Sequence, residues 1–306
     1  MTVADVPIVI RSGHRITTPA PRTVLELFKP VTWFPPMWAF ACGVVSSGIA
    51  ISSHWSLLFL GVLLTGPLVC GTSQAVNDWF DRHVDAINEP HRPIPSGRMP
   101  GTWGLTLAIA GTLVSLIIGL QLGLAAFAAT ILAVVMAWIY SAPPLRLKNN
   151  GWWGNAAVGF TYEGLAWVTG AALMLGGAVP RPAILVAAVL YSIGAHGIMT
   201  LNDFKSVAGD LKMGIGSLPA RLGPERAAKV ACVVMLVPQV FVTGMLALTA
   251  HPVAAGLVGA VALAQVPLMR RLLQRPRELA PWYNQTGISL YVSGMMITAV
   301  ALGSGR

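Results

Sequence analysis

The sequence predicts an all-α integral membrane protein of about nine helices. Three observations lead there: 55% of the 306 residues are hydrophobic, only 10% are charged, and apolar runs of spanning length recur along the whole chain. A soluble chain of this size carries about 25% charged residues, and about 20 apolar residues in helix cross a bilayer. The candidate spans are residues 31–51, 56–76, 102–120, 122–140, 152–176, 183–201, 228–250, 252–268 and 286–304. Residues 1–22 are polar and hold no signal-peptide core, so they are read as a short cytoplasmic tail. Residues 23–306 then form a single membrane domain embedded in the lipid bilayer, with no second, soluble domain.

The connections between spans support that count. With the N-terminus in the cytoplasm, the tail carries Arg11, Arg15, Arg22 and Lys29, and the loop after span two carries Arg82, Arg92 and Arg98. Arg146 and Lys148 follow span four. Lys205, Lys212, Arg221, Arg226 and Lys229 follow span six, and Arg270, Arg271, Arg275 and Arg277 follow span eight. Of the 20 basic residues only Arg181 and Arg306 fall on the other side. This alternation is the positive-inside pattern, and a wrong count would scramble it. The net charge of +9 therefore reads as membrane orientation, and no nucleic-acid partner is expected. Cys42, Cys70 and Cys232 have neither metal-ligand nor disulfide spacing and read as small buried residues.

The acids are placed just as unevenly. Asp78, Asp81, Asp85 and Glu89 follow span two, and Asp203 and Asp210 follow span six; these are six of the 11 acids. Carboxylates at the edge of hydrocarbon are expensive and mark function. Asp78, Asp81 and Asp85 stand at i, i+3 and i+7, within about 60° of arc on a helix. Such a stripe repels itself unless a cation lies among the acids. Adding 125 to these positions gives a second copy: Asn77 maps to Asn202, Asp78 to Asp203, Asp81 to Ser206 and Asp85 to Asp210. Two copies at one spacing, on one side of the membrane, suggest two helix ends facing each other across a cavity. The motifs extend over residues 77–97 and 202–223.

Mg²⁺ binds one or two carboxylates together with waters and substrate phosphates, so the five aspartates are candidate Mg²⁺ ligands. Candidate diphosphate-binding groups surround them. Arg92 lies in a proline-stiffened loop, Arg146 and Lys148 follow a helix end, and Lys29, Lys212 and the two asparagines, Asn77 and Asn202, complete the set. Acids for a metal with cations around them describe a site for a metal-bound diphosphate.

This constellation resembles the UbiA-type prenyltransferase superfamily over nearly the whole chain, which implies a nine-helix UbiA-type bundle and a prenyl diphosphate donor. The stretch from Asn77-Asp78-Trp79-Phe80-Asp81 through Ile87-Asn88-Glu89-Pro90 and Arg92-Pro93-Ile94-Pro95-Ser96-Gly97 is similar to the chlorophyll synthase branch. Lys29-Pro30 with Thr32-Trp33-Phe34-Pro35-Pro36-Met37-Trp38, Gly194 through Lys205, and Pro281-Trp282-Tyr283-Asn284 resemble its bacteriochlorophyll-forming members. The resemblance implies geranylgeranyl or phytyl diphosphate as donor and the propionate of bacteriochlorophyllide as acceptor. It also implies Mg²⁺ as cofactor, the photosynthetic cytoplasmic membrane as location, and other proteins of pigment synthesis or pigment–protein assembly as candidate partners. Ser206 departs from the superfamily's pattern, where many members carry an acid.

Two single residues keep two readings each. Glu163, deep in span five, either contacts the pigment in the acceptor pocket or is an internally bonded, protonated acid. His196, in span six, either ligates the pigment's central magnesium or is a packed core histidine. Chlorophyllide as acceptor and a quinone-precursor prenyltransferase are the alternatives within the superfamily. A transporter with acidic ion sites is the alternative outside it, and midplane rather than edge carboxylates would mark it.

Overall fold

The computed structural model describes residues 18–304. Among them there is no strand, only one isolated bridge between Asn150 and Gly216. Most of the expected tail, residues 1–17, lies outside the described residues; Pro21 and Arg22 already belong to helix α1, Pro21–Phe28. A 13-residue helix, α2 (Phe34–Ser46), follows. Next comes one long helical run: α3 (Trp55–Leu63), a π-helical segment (Leu64–Cys70) and α4 (Gly71–Asn88). Helices α5 (Trp103–Gln121) and α6 (Leu124–Ser141) form a hairpin turned at Gly123, whose φ of 104° suits glycine. A second continuous run with a π-helical middle contains α7 (Gly151–Gly159), the π-helical segment Phe160–Leu165 and α8 (Ala166–Met174). The rest is α9 (Pro182–Asn202), short α10 (Val207–Met213) and α11 (Leu218–Leu222), and the long α12 (Pro224–Leu248), α13 (Pro252–Gln274) and α14 (Pro276–Ser304).

Local chemistry sets these boundaries. Helices α1, α9, α12, α13 and α14 each begin on a proline, whose fixed φ suits the first turn and whose missing N–H costs nothing there. Asn150 caps α7 through a 3.0 Å bond from the Trp152 backbone N–H. Pro67 inside Leu64–Cys70 removes a helical donor, a known cause of a widened turn.

Each of the nine expected spans falls on helix, but not equally. Among the described residues seven helices are long and apolar enough to cross a membrane. Of the other two, α2 covers only 13 of the expected residues 31–51. Prolines Pro30, Pro35 and Pro36 crowd its start, and Gly48, at a φ of 69°, follows its end. At 1.5 Å per residue α2 is about 20 Å long, less than the roughly 30 Å of a hydrocarbon core. The other, residues 151–174, is continuous helix but more polar, with Asn155, Thr161, Tyr162 and Glu163 along it.

The main core joins α2, α8, α9 and α14. Trp167 and Tyr191 stack at 5.5 Å, and the Tyr191 hydroxyl meets Thr298 at 2.9 Å. Helices α2 and α8 cross at small residues: a Cβ on Gly43 would lie 2.0 Å from the Trp167 carbonyl oxygen, and one on Gly170 2.2 Å from that of Phe40. In lipid, where apolar burial drives no association, such close contact is a main source of helix pairing. Cys42, Cys70 and Cys232 are buried free thiols.

Candidate active site

The second span runs without a break through the first acidic motif, so Asn77, Asp78, Asp81 and Asp85 share the rigid helix α4. Each aspartate meets a cation. Helix α1 packs Leu27 against Ala75 and Val76, and this delivers Lys29 to α4. Its Nζ lies 2.6 Å from Asp78 Oδ1. Arg92 Nη1 donates to Asp85 Oδ2 at 2.8 Å and to Asp78 Oδ1 at 3.4 Å. Arg146 Nη2 donates to Asp81 Oδ1 at 2.9 Å, and Lys148 pairs with the same oxygen. Asn77 donates to Asp81 Oδ2 at 3.1 Å and to Ser141 Oγ at 3.4 Å.

Two of these cations sit on strained backbone. Lys29 and Arg146 have φ of 46° and 39°, in the left-handed region that side-chain-bearing residues avoid. Strain of this kind persists where surrounding contacts over-determine it, and it clusters at functional sites. The electrostatics follow the pairing. Burial works against the Arg92 charge, but Asp78 and Asp85 outweigh it and hold its pKa above the ordinary value. Burial draws the Lys148 ammonium below the ordinary lysine value, with Asp81 opposing. Away from the acids, Arg98 fastens its loop to α1 through Glu26, at 2.5 and 2.7 Å, and this holds the Glu26 carboxyl below its usual range.

The second motif corrects the expectation of two equivalent helices. Helix α9 ends at Asn202, Asp203–Ser206 form a 3-10 turn, and α10 starts anew at Val207. The repeated spacing therefore does not give the repeated stripe, because the tighter turn rotates Asp210 relative to Asp203. Both acids are neutrally bonded: Asp203 accepts from Asn155 at 3.1 Å, and Asp210 from Ser217 at 2.5 Å. Asn202 accepts from Asn284 at 2.7 Å. A backbone clasp brings this motif to the first. Gly151 N–H donates to Gly216 O at 2.8 Å and Gly216 N–H to Asn149 O at 3.0 Å. A Cβ on Gly151 would sit 2.5 Å from the Leu218 nitrogen, so the clasp needs glycine there. With the loops joined, α10 touches α4, and Lys148 and Asp81 are among the charges acting on Asp210.

Among the described residues several buried atoms in this cluster, Lys148 Nζ and Asn284 Oδ1 included, lack hydrogen-bond partners, and two others are of opposite kind. Asp78 Oδ2 is a carboxylate oxygen without a donor, and Arg146 Nε is a donor without an acceptor. Among the described residues no three acidic, histidine or cysteine side chains gather closely enough to hold a metal by themselves. Beside the π-helical segment that precedes α4 lies an apolar cavity walled by Pro36, Val69, Ala133, Thr161, Tyr162 and Leu165, among others.

Other expected residues lie apart. Lys212 is exposed on α10 and, among the described residues, forms no ion pair. Glu163 is buried near Cys42 and Tyr291, does not wall the cavity that Tyr162 walls, and among the described residues leaves Oε2 without a hydrogen-bond partner. His196 packs its ring against Trp152 at 5.3 Å. Sequence reasoning missed Asn155, Ser141, Ser217, Asn284 and Tyr162. A polar residue inside an apolar span was the available signal for Asn155 and Tyr162, and the Pro281–Asn284 stretch that carries the family resemblance was the signal for Asn284; Ser141 and Ser217 had none.

Residues 32–290 match the UbiA prenyltransferase family. The chain is 56% identical, over 95% of its length and 96% of the relative's, to the bacteriochlorophyll synthase 33 kDa chain of Rhodobacter capsulatus. It is 36% identical to the chloroplastic chlorophyll synthase of Arabidopsis thaliana, over 90% of this chain and 73% of that one. The solved structure of a UbiA homolog from Archaeoglobus fulgidus bound to GPP and Mg²⁺ superposes with a TM-score of 0.68 at 22% identity, covering 88% of this chain and 99% of that one. The chain belongs to the UbiA prenyltransferase family and is an integral membrane prenyltransferase.

Proposed function

We propose that the enzyme transfers a geranylgeranyl or phytyl group from its diphosphate to the propionate carboxylate of bacteriochlorophyllide. The diphosphate half of this reading rests on one observation: a buried acceptor on Asp78 and a buried donor on Arg146 lie in the same cluster without partners. A cation and an anion satisfy both. The pigment half rests on the 56% identity to a protein named for bacteriochlorophyll synthesis.

The residues fit Mg²⁺. That ion takes one or two carboxylates and completes its shell with water and phosphate, which agrees with acids that do not form a ready metal cage. Asp78, Asp81 and Asp85 would hold it, with Asp203 and Asp210 across the site acting partly through water. When bound, it neutralises charge on the diphosphate and makes it a better leaving group.

The chain's own residues do the rest. Lys29, Arg92, Arg146 and Lys148 already face the acids, and they would bind diphosphate oxygens and stabilise charge building on them. Asn77 orients Asp81, Asn202 is held by Asn284 at the second motif, and the first carbons of the prenyl tail would enter the apolar cavity. The acceptor is a carboxylate at neutral pH, so no strong general base is needed and orientation dominates.

Purified enzyme, given geranylgeranyl or phytyl diphosphate with bacteriochlorophyllide or chlorophyllide, is expected to esterify bacteriochlorophyllide preferentially. EDTA should stop the reaction and Mg²⁺ should restore it. Equal turnover of chlorophyllide, or full activity in EDTA, defeats the corresponding half of the proposal.

The basic loops further support nine crossings, a cytoplasmic N-terminus and an active site on the cytoplasmic face. Single-cysteine labelling in sealed vesicles is expected to place residues near 20 and near 300 on opposite sides. Both on one side would contradict an odd number of crossings.

A further inference from the structure

About two turns of helix separate the apolar cavity from the charged cluster, with Ser73 in the turn between. Thr65 and Val69 wall the cavity, Ser73 follows Val69 by four residues, and Asn77 follows Ser73 by four. Tyr162 reaches this turn from the facing π-helical segment. Its hydroxyl lies 2.5 Å from Ser73 Oγ and 3.4 Å from Gln74 Nε2, while its side chain walls the cavity. Ser73 and Gln74 each stand four residues, about 6 Å of helix rise, before Asn77 and Asp78. The phenol thus sits at the boundary between hydrocarbon and charge. The segments that wall the cavity here, Leu64–Cys70 and Phe160–Leu165, are both π-helical, a feature frequent at functional sites.

A prenyl diphosphate is divided in the same way. Its polyanionic end needs the cations around Asp78 and Asp81, its tail needs the apolar cavity, and the C1–O bond joins the two. A donor with its diphosphate among these cations and the start of its tail in the cavity would carry C1 past Ser73, beside Tyr162.

We propose that Tyr162 is a catalytic residue whose ring abuts C1 of the donor and stabilises the positive charge that grows there. This rests on the prenyl-transfer reading of the site. The C1–O bond breaks with its electron pair leaving on the diphosphate. A carboxylate oxygen of the acceptor supplies the pair for the new C1–O bond, and no proton is exchanged. An aromatic face attracts a cation without offering a nucleophile that would trap it. The bonds from Ser73 and Gln74 fix the ring before the reaction, so little reorganisation is needed as charge develops. They also hold the ring beside C1, where entering water would divert C1 to the free alcohol.

The test follows ester, free prenyl alcohol and donor KM in wild type, Tyr162→Phe, Tyr162→Leu and Ser73→Ala. Tyr162→Leu is expected to lower kcat about tenfold or more with donor KM little changed, and to release a larger share of donor as alcohol. Tyr162→Phe keeps the ring and most of the rate but leaks more alcohol, and Ser73→Ala resembles it. Phenylalanines of increasing fluorine content at position 162 keep the shape and drain the ring face, so kcat should fall stepwise along the series. A flat fluorine series, or Tyr162→Phe losing as much as Tyr162→Leu, overturns the proposal. Alcohol release without pigment reads donor ionisation alone. If wild type makes no ester, the proposed acceptor fails while this comparison still decides Tyr162.

Discussion

Asp78→Asn is expected to lower prenyl transfer roughly a thousandfold or more, at any Mg²⁺ concentration, while the protein still inserts and purifies folded. Asp78 is 1% exposed. Its Oδ1 faces Lys29 at 2.6 Å and Arg92 at 3.4 Å, and its Oδ2 has no partner. Asparagine preserves the shape and can still accept from Lys29, but it removes the charge that would draw a divalent cation to the second oxygen. The structural cost should be smaller than for a fully buried pair, because Arg92 keeps Asp85 at 2.8 Å and the Lys29 side chain is 21% exposed. A melting curve in detergent beside a Mg²⁺ titration of initial rate separates the two effects. Near-normal turnover in a folded variant would remove Asp78 from the chemistry.

Asp78, Asp81 and Asp85 were legible because they lie on one unbroken helix, where spacing translates directly into a shared face. The second motif was legible only as a set of residues. Its spacing copies the first, yet nothing local in Asp203–Ser206 announces the 3-10 turn. That turn is set among tertiary bonds, from Asn155 to Asp203 and from Asn284 to Asn202, which spacing does not encode. Lys29 gives a sharper case. A residue before proline is biased toward extended backbone, so a left-handed Lys29 contradicts its local preference. The packing of Leu27 and the ion pair with Asp78 accompany that conformation. The pair Tyr162-Glu163 shows how charge can mislead. The acid drew the functional reading because a carboxylate in a span is costly. The structure turns the neighbouring phenol toward Ser73 and leaves the acid beside Cys42 and Tyr291.

Lys148 and Lys212 looked alike in the sequence, two lysines beside the acidic motifs, and the structure separates them. Lys148 is held by the clasp that joins Asn149 to Gly216, pairs with Asp81 and keeps only 8% of its side chain exposed. Lys212 projects from α10 into the surroundings. A cation in a partly dehydrated pocket acts on developing charge far more strongly than one in water. Lys148→Ala is therefore expected to cut kcat by about a hundredfold or more and to weaken donor binding. Lys212→Ala should leave both within about twofold, because an exposed charge is screened within a Debye length. Lys148→Arg should recover only part of the loss, since a guanidinium keeps the charge but not the compact point-charge geometry that fits beside Arg146. The measurement is kcat and donor KM for the three variants at matched ionic strength, with folding checked by the same melting curve. Comparable losses at the two alanine variants would mean that α10 folds over the donor when it binds, carrying Lys212 onto the diphosphate from the side opposite Lys148.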